Sequence, residues 1–263
     1  ASDVYKRQCQ HREGLTFKAL LSLFLVLSAS LSTAFGQADC GFLTGPEGLA
    51  AGCQDSCVWV VPDFERAAET TGYEVDSIAY APPLEVGTGT VQSTATNGYT
   101  DGIGLPFGFS FFDTDFFQLK VSRKGFVTFN VGLGGGYNYP NQPLGNGALP
   151  PNSIMAPYAY ISNSGGEIRT ATLGEAPCRR FVISWENLPQ TGCGANELIT
   201  QVVLHETSNV VEMHIGQFQT CLGITACVGI QGGGTEGAFG PGAYDTGEFV
   251  LDDLAFRYSP NGD

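Results

Sequence analysis

From Tyr73 onward, apolar residues recur at every second position over short stretches, and each stretch ends at Gly, Pro or Asn. That period is the signature of half-buried β-strands rather than helices. The predicted strands are Tyr73–Tyr80, Gly108–Phe112, Phe116–Val121, Gly125–Asn130, Ile154–Ile161, Glu167–Thr172, Arg179–Glu186, Leu198–His205, Val210–Ile215, Ala226–Gln231 and Glu248–Tyr258. They are rich in Phe, Val, Ile and Tyr, which fit a pleated surface. No helical period of useful length follows residue 70, and no repeat unit is visible. The pattern predicts an all-β fold: a two-sheet antiparallel β-sandwich with jelly-roll-like connections.

One hairpin can be registered from its pattern. Leu198–Thr207 and Val210–Gly216 flank Ser208-Asn209. A two-residue turn there pairs positions whose numbers sum to 417. Leu204 then faces Met213 and Val202 faces Ile215, all on one apolar side. His205 opposite Glu212, and Val203 opposite His214, take the other side, which is expected to look outward. Phe181, Ile183 and Trp185 alternate with Val182 and Ser184 and predict a second core-facing strand.

The N-terminus breaks this pattern. Lys18 precedes an apolar run from Ala19 to Leu27, followed by small residues and Ala34-Phe35-Gly36. This is the order of a secretory signal peptide, assigned to residues 15–38 as a signal helix with cleavage after Gly36 or Ala38. The run is shorter than the ~20 residues a bilayer span needs. The opening Ala-Ser-Asp-Val-Tyr-Lys-Arg-Gln lacks an initiating Met and reads as translated adaptor sequence, so residues 1–14, with Cys9, are set aside. Residues 39–70 read as an irregular, Cys-containing lead-in whose helix-like piece is Pro62–Glu69, and 71–260 as the sandwich domain.

Charge narrows the partners. The whole chain carries a net charge of −14. Lys6, Arg7, Arg12 and Lys18 against Asp3 and Glu13 precede residue 37, so the remainder carries −16. Such a surface repels nucleic-acid phosphates and anionic lipid. Gly, at 36 of 263 residues, is about twice its usual share, which fits many turns and few helices.

Beyond Cys9 there are cysteines at 40, 53, 57, 178, 193, 221 and 227. In an exported chain most are expected to be oxidised, and the odd count leaves one over. Zinc is the competing use, but neither Cys53/Cys57 nor Cys221/Cys227 has the two-residue spacing of a ribbon or knuckle.

Candidate chemistry is sparse. His205 and His214 with Glu212 could clamp a metal across the hairpin, though an outward His205–Glu212 pair is the simpler reading. Glu186, Glu197, Glu206, Asp252 and Asp253 could supply two carboxylates for glycoside hydrolysis, but no spacing pairs them across a cleft. Asp113-Thr-Asp115 could contribute to a calcium site, and a plain Asp turn is favoured over it. No phosphate loop, dinucleotide fingerprint or nucleophile elbow is present. The loop containing Gly132–Gly136 and Tyr137-Asn-Tyr139-Pro-Asn-Gln-Pro143 combines Gly, Asn and aromatics and could form a ligand surface at the rim.

Over residues 103–260 the chain resembles a known domain. Ile103-Gly-Leu-Pro-Phe-Gly-Phe-Ser-Phe111, Val121-Ser-Arg-Lys-Gly-Phe-Val-Thr-Phe129 and Asn152-Ser-Ile-Met-Ala-Pro157 follow one another. Gly174-Glu-Ala-Pro-Cys-Arg-Arg-Phe-Val-Ile-Ser-Trp185 and Gln201-Val-Val-Leu-His-Glu-Thr-Ser-Asn209 come next. The order resembles a domain of large secreted Bacteroidetes proteins, itself distantly similar to the nidogen-like extracellular domain. The resemblance implies a β-sandwich at the cell surface with an adhesive or matrix-binding role and no catalytic residues. It also implies downstream immunoglobulin-like or PKD-type and sorting modules.

The relatives carry Asn at position 178 and a small apolar residue at 227. Cysteines at both places here imply a Cys178–Cys227 bridge. Cys193 and Cys221 resemble the family's own pair and would close the open end of the His205 hairpin. Pro157-Tyr-Ala-Tyr160 lacks the Trp-Asp pair common in relatives. The expected function is a secreted or cell-surface, non-catalytic binding module with no cofactor, whose ligand is a glycan or matrix protein. The alternatives are an extracellular two-carboxylate hydrolase and a structural spacer.

Overall fold

The computed structural model describes residues 69–95, 98–134, 143–221, 223, 225–234, 237–242, 244 and 247–262. The readings of residues 1–14, of the signal peptide, of Cys40, Cys53, Cys57 and the 62–68 piece, and of Tyr137 and Tyr139 lie outside the described residues.

The described chain forms two antiparallel sheets. The seven-stranded sheet has the order β1-β13-β10-β9-β8-β7-β2. Its strands are β1 (Glu69–Ile78), β2 (Thr90–Val91), β7 (Glu167–Leu173), β8 (Arg180–Pro189), β9 (Glu197–His205), β10 (Val211–Gln219) and β13 (Val250–Gly262). The six-stranded sheet has the order β12-β11-β6-β5-β4-β3. It comprises β3 (Ile103–Phe111), β4 (Thr114–Ser122), β5 (Phe126–Thr128), β6 (Ser153–Tyr158), β11 (Cys227–Gln231) and β12 (Ala238–Phe239). Every stretch predicted from the alternation of apolar residues becomes one of these strands. The two-residue β2 and β12 are too short to carry a period.

The inner faces interdigitate as a sandwich core. Phe109 and Phe116 stack on Phe129 at ring separations of 5.6 and 4.8 Å. Trp185, fully buried on β8, donates its indole N–H to Ser122 O at the end of β4 (2.8 Å). The largest core side chain therefore finds its polar partner in the opposite sheet. Phe181, Ile183 and Trp185 join the main core as the alternation required, while Val182 packs on the other face. Gly125 closes the β4–β5 turn with φ 82°, and a Cβ there would lie 2.0 Å from Pro157 O. Only glycine satisfies both conditions.

The β9–β10 hairpin keeps the predicted faces but shifts its register by two. Val211 pairs with Leu204, Met213 with Val202 and Ile215 with Thr200, so paired numbers sum to 415. His205 N–H donates to Val210 O (3.0 Å). Residues 206–209 are left as a four-residue loop, with Thr207 (φ 68°) and Asn209 (φ 52°) in the left-handed region. Asn209 Oδ1 accepts from Ser110 N–H of β3 (2.9 Å), which fixes the loop to the second sheet. A shift of two preserves side-chain direction, so the buried apolar set is unchanged.

The outer face of the seven-stranded sheet is covered, which corrects the expectation that it looks outward. The chain leaves β1 at one edge, crosses β10, β9 and β8 as a strap over residues 79–89, and becomes β2 beside β7 at the far edge. Leu84 on the strap caps Val182 and Val203. The outer face of the six-stranded sheet is covered too: Phe126, Met155, Tyr158 and Cys227 pack with Tyr99 and Leu149 from loops.

Cys193 and Cys221 form a disulfide with Cα atoms 5.6 Å apart, closing the open end of the β9–β10 hairpin. The implied Cys178–Cys227 bridge is not formed. Cys178 lies in the β7–β8 turn, at the end of the sandwich that holds Asn209, and is disulfide-bonded. Cys227 pairs with Tyr158 at the other end and in the other sheet. It is a buried thiol with Sγ 3.2 Å from Met155 Sδ.

Candidate functional site

The histidine hairpin is the first place to look for chemistry, and its groups are engaged with one another. Glu212 Oε1 accepts from Arg257 Nε (2.9 Å) and Nη2 (2.7 Å). Its Oε2 lies 3.4 Å from Nε2 of both His205 and His214. Burial pushes this carboxyl up, but hydrogen bonds from His205, His214 and Arg257 overcome that and hold it well below the usual carboxylate range. His214 and Gln201 face the strap. Ala81 N–H donates to His214 Nδ1 (3.4 Å), Leu84 N–H to Gln201 Oε1 (3.2 Å), and Gln201 Nε2 to Leu84 O (2.6 Å). These residues hold backbone that has no strand neighbour, and among the described residues no group of three His, Cys, Asp or Glu is placed to hold a metal.

Two of the candidate carboxylates, Glu186 and Glu206, are spent on cations and backbone. Glu186 accepts Gly87 N–H (2.9 Å) and Ser184 Oγ–H (3.2 Å) and lies 3.4 Å from Arg169 Nε. Glu206 takes Arg179 in a two-point pair, with Nε at 2.8 Å, and so ties the β7–β8 turn to the hairpin loop. Glu197 opens β9 opposite Pro189. Asp252 pairs with Gln217, and Asp253 beside it has φ 51°. Asp113 forms the β3–β4 turn with φ 54°, and its N–H and Oδ1 both bond Thr70 Oγ1 (2.8 and 3.2 Å). That arrangement is a locally satisfied Asp turn.

A concave site lies elsewhere. The loop before β6 and the turn after β11 enclose a groove of about 480 Å³, within the usual range for small-ligand sites. Gly145, Asn146, Gly147 and Leu149 line one side, and Gln231 with Gly232, Gly233, Gly234 and Gly237 the other. Gln231 is buried and clamps the two sides: its Oε1 accepts Gly145 N–H (3.1 Å) and its Nε2 donates to Pro150 O (3.0 Å). Ser153 and Thr128 hydroxyls hold the carbonyls of Pro150 and Pro151 (2.6 and 2.9 Å). The floor is therefore braced by four side-chain bonds.

Gly147 differs from the turn glycines around it. It does not require a positive φ, and a Cβ there would meet nothing within 4 Å. Neither backbone conformation nor packing calls for glycine at that position, and its effect is to leave room in the loop that walls the groove. Among the described residues that line the groove, no side chain is ionisable. The groove can offer main-chain N–H and C=O groups and neutral amides, a set suited to recognition rather than proton transfer.

The sequence reading pointed to the neighbouring Gly132–Pro143 loop and missed this site. The signal that could have found it is Gly145-Asn-Gly147 together with the Gly232–Gly234 run, two glycine clusters far apart in the chain. Only the pairing of β11 with β6 brings them together.

No curated protein and no solved structure matches the chain. The protein-family comparison matches residues 72–246, more than half of the chain, to the family described as NIDO related. The match covers strap, hairpin and groove alike, and the chain belongs to the nidogen-related family.

Proposed function

We propose that this domain is a secreted or cell-surface, non-catalytic binding module of a larger protein, and that it takes a neutral glycan in the glycine-lined groove. The observation that carries this reading is the groove's chemistry: a braced, concave site lined by glycine backbone and the amides of Asn146 and Gln231, with no ionisable side chain among its described lining residues. Sugar hydroxyls both donate and accept, which suits a wall presenting peptide N–H and C=O groups together. Hydrolysis by two carboxylates needs acids facing the substrate. Glu186 and Glu206 instead face arginines. Membership of an extracellular-domain family and the signal-like N-terminus support export.

The test is binding of the purified protein to arrays of neutral and acidic glycans and of matrix proteins, beside a Gly147→Trp variant. A Cβ at this position would meet nothing within 4 Å, and the φ is not in the left-handed region. Binding to a neutral glycan that this variant loses supports the reading. Silence on every glycan, or binding that Gly147→Trp leaves intact, overturns it; capture of matrix protein alone favours the protein-ligand alternative.

A further inference from the structure

We propose that the strap over residues 79–89 is an acid-sensitive latch, in which Ala81 N–H and a proton compete for one lone pair, that of His214 Nδ1. The geometry fixes the tautomer. Ala81 N–H donates to Nδ1 at 3.4 Å, so that nitrogen must be unprotonated. The ring proton then sits on Nε2, 3.4 Å from Glu212 Oε2. The imidazole is 3% exposed, with the Tyr80 ring edge-on at 6.2 Å, so no water replaces these partners while the strap is down.

Adding a proton to Nδ1 turns the acceptor into a donor aimed at the Ala81 N–H. The hydrogen bond is lost and two N–H dipoles oppose each other. From beneath, Glu212 on β10 lies against Nε2. The other charged groups around the ring are His205 on β9 and Arg257 on β13, both on the same carboxylate, with Asp252 and Asp253 acting on Tyr80. The ring is thus placed between the Glu212 carboxylate and the Ala81 N–H.

The sign follows from linkage. A proton on Nδ1 and the Ala81 hydrogen bond exclude each other, so docking is favoured at high pH and weakens in acid. The remaining anchors, Gln201 on Leu84 and Glu186 on Gly87, are not broken by this proton. Release therefore starts at the Ala81 end. As it propagates it uncovers Val182 and Val203, an apolar strip buried under Leu84 at neutral pH.

Hydrogen exchange of the full chain at pH 7.5 and 5.5, corrected for the intrinsic pH dependence of exchange, tests this. The expected result is that protection of the Ala81 and Leu84 amides falls by up to about tenfold per pH unit between the two, while β9 amides do not change. His214→Asn keeps an acceptor near the Nδ1 position without titrating, so its strap should stay protected at both pH values. His205→Asn should behave as wild type. Equal protection at the two pH values in the wild type, or a loss that persists in His214→Asn, overturns the proposal. If His214→Asn does not fold, the wild-type amide shift of Ala81 decides: titration together with the His214 ring supports the latch, and independence from it overturns the latch.

Discussion

Leu84 and Gln201, 117 positions apart in sequence, exchange two hydrogen bonds: the Leu84 N–H donates to Gln201 Oε1 at 3.2 Å, and Gln201 Nε2 donates to Leu84 O at 2.6 Å. A side-chain amide here plays the part of a neighbouring strand for a segment that crosses the sheet instead of joining it. Without it, a buried peptide group would have neither strand nor water to bond. Gln201→Ala should therefore cost about 2–3 kcal/mol, more than an average surface change, because it strands a donor and an acceptor at once. Denaturant unfolding of the two proteins measures it.

The Cys193–Cys221 disulfide closes a loop of 28 residues that contains the whole β9–β10 hairpin. Loop-closure entropy for that length is about 3–4 kcal/mol. A Cys193→Ala/Cys221→Ala variant should lose about that much stability and melt about 10 °C lower. Calorimetry on the two proteins checks it.

Cys227 should be chemically silent in the folded protein. Its thiol is buried against Met155, where β11 pairs with β6, away from solvent. Alkylation under native conditions should leave it unmodified, and alkylation after unfolding without reductant should modify it. Peptide mass spectrometry reads both outcomes. Recovery of a Cys178–Cys227 cross-linked peptide would contradict the arrangement described.

Glu212 should make the domain acid-labile. Its folded-state pKa is depressed, so its contribution is fully present above the ordinary glutamate value near 4.3 and is lost as pH falls below it. The Glu212 component of stability measured by denaturant should decline from about pH 4.5 downward, below the range in which the strap responds. Glu212→Gln should be less stable at pH 7 by about 2 kcal/mol, because Arg257 and two histidines lose their carboxylate. It should also show a shallower acid decline.

Much of the sandwich is legible in the chain because burial on one face leaves a period of two, and Phe181, Ile183 and Trp185 carry that signal without help from elsewhere. The hairpin register is off by two because Thr207 and Asn209 adopt left-handed backbone in a four-residue loop anchored to Ser110. Ser208-Asn209 alone suggests a tighter turn. The strap leaves no trace, since Ala81-Pro-Pro-Leu84 has no period and its partners lie some 100 residues downstream. Val182 and Val203 were the available hint: two β-branched apolar residues on a face assigned to solvent. The groove was hidden for a related reason. Its walls are glycines, which advertise turns and give no sign of what the turns enclose.

The central claim, that a ligand sits in the groove between the 145–149 loop and the turn after β11, is tested most directly by hydrogen-exchange footprinting of the full chain with and without a glycan that it binds on the array. The account predicts added protection at 145–149 and 231–234, and no change at the Cys193–Cys221 end of the sandwich. Protection confined to that far end or to the strap, with the groove unaffected, would contradict it.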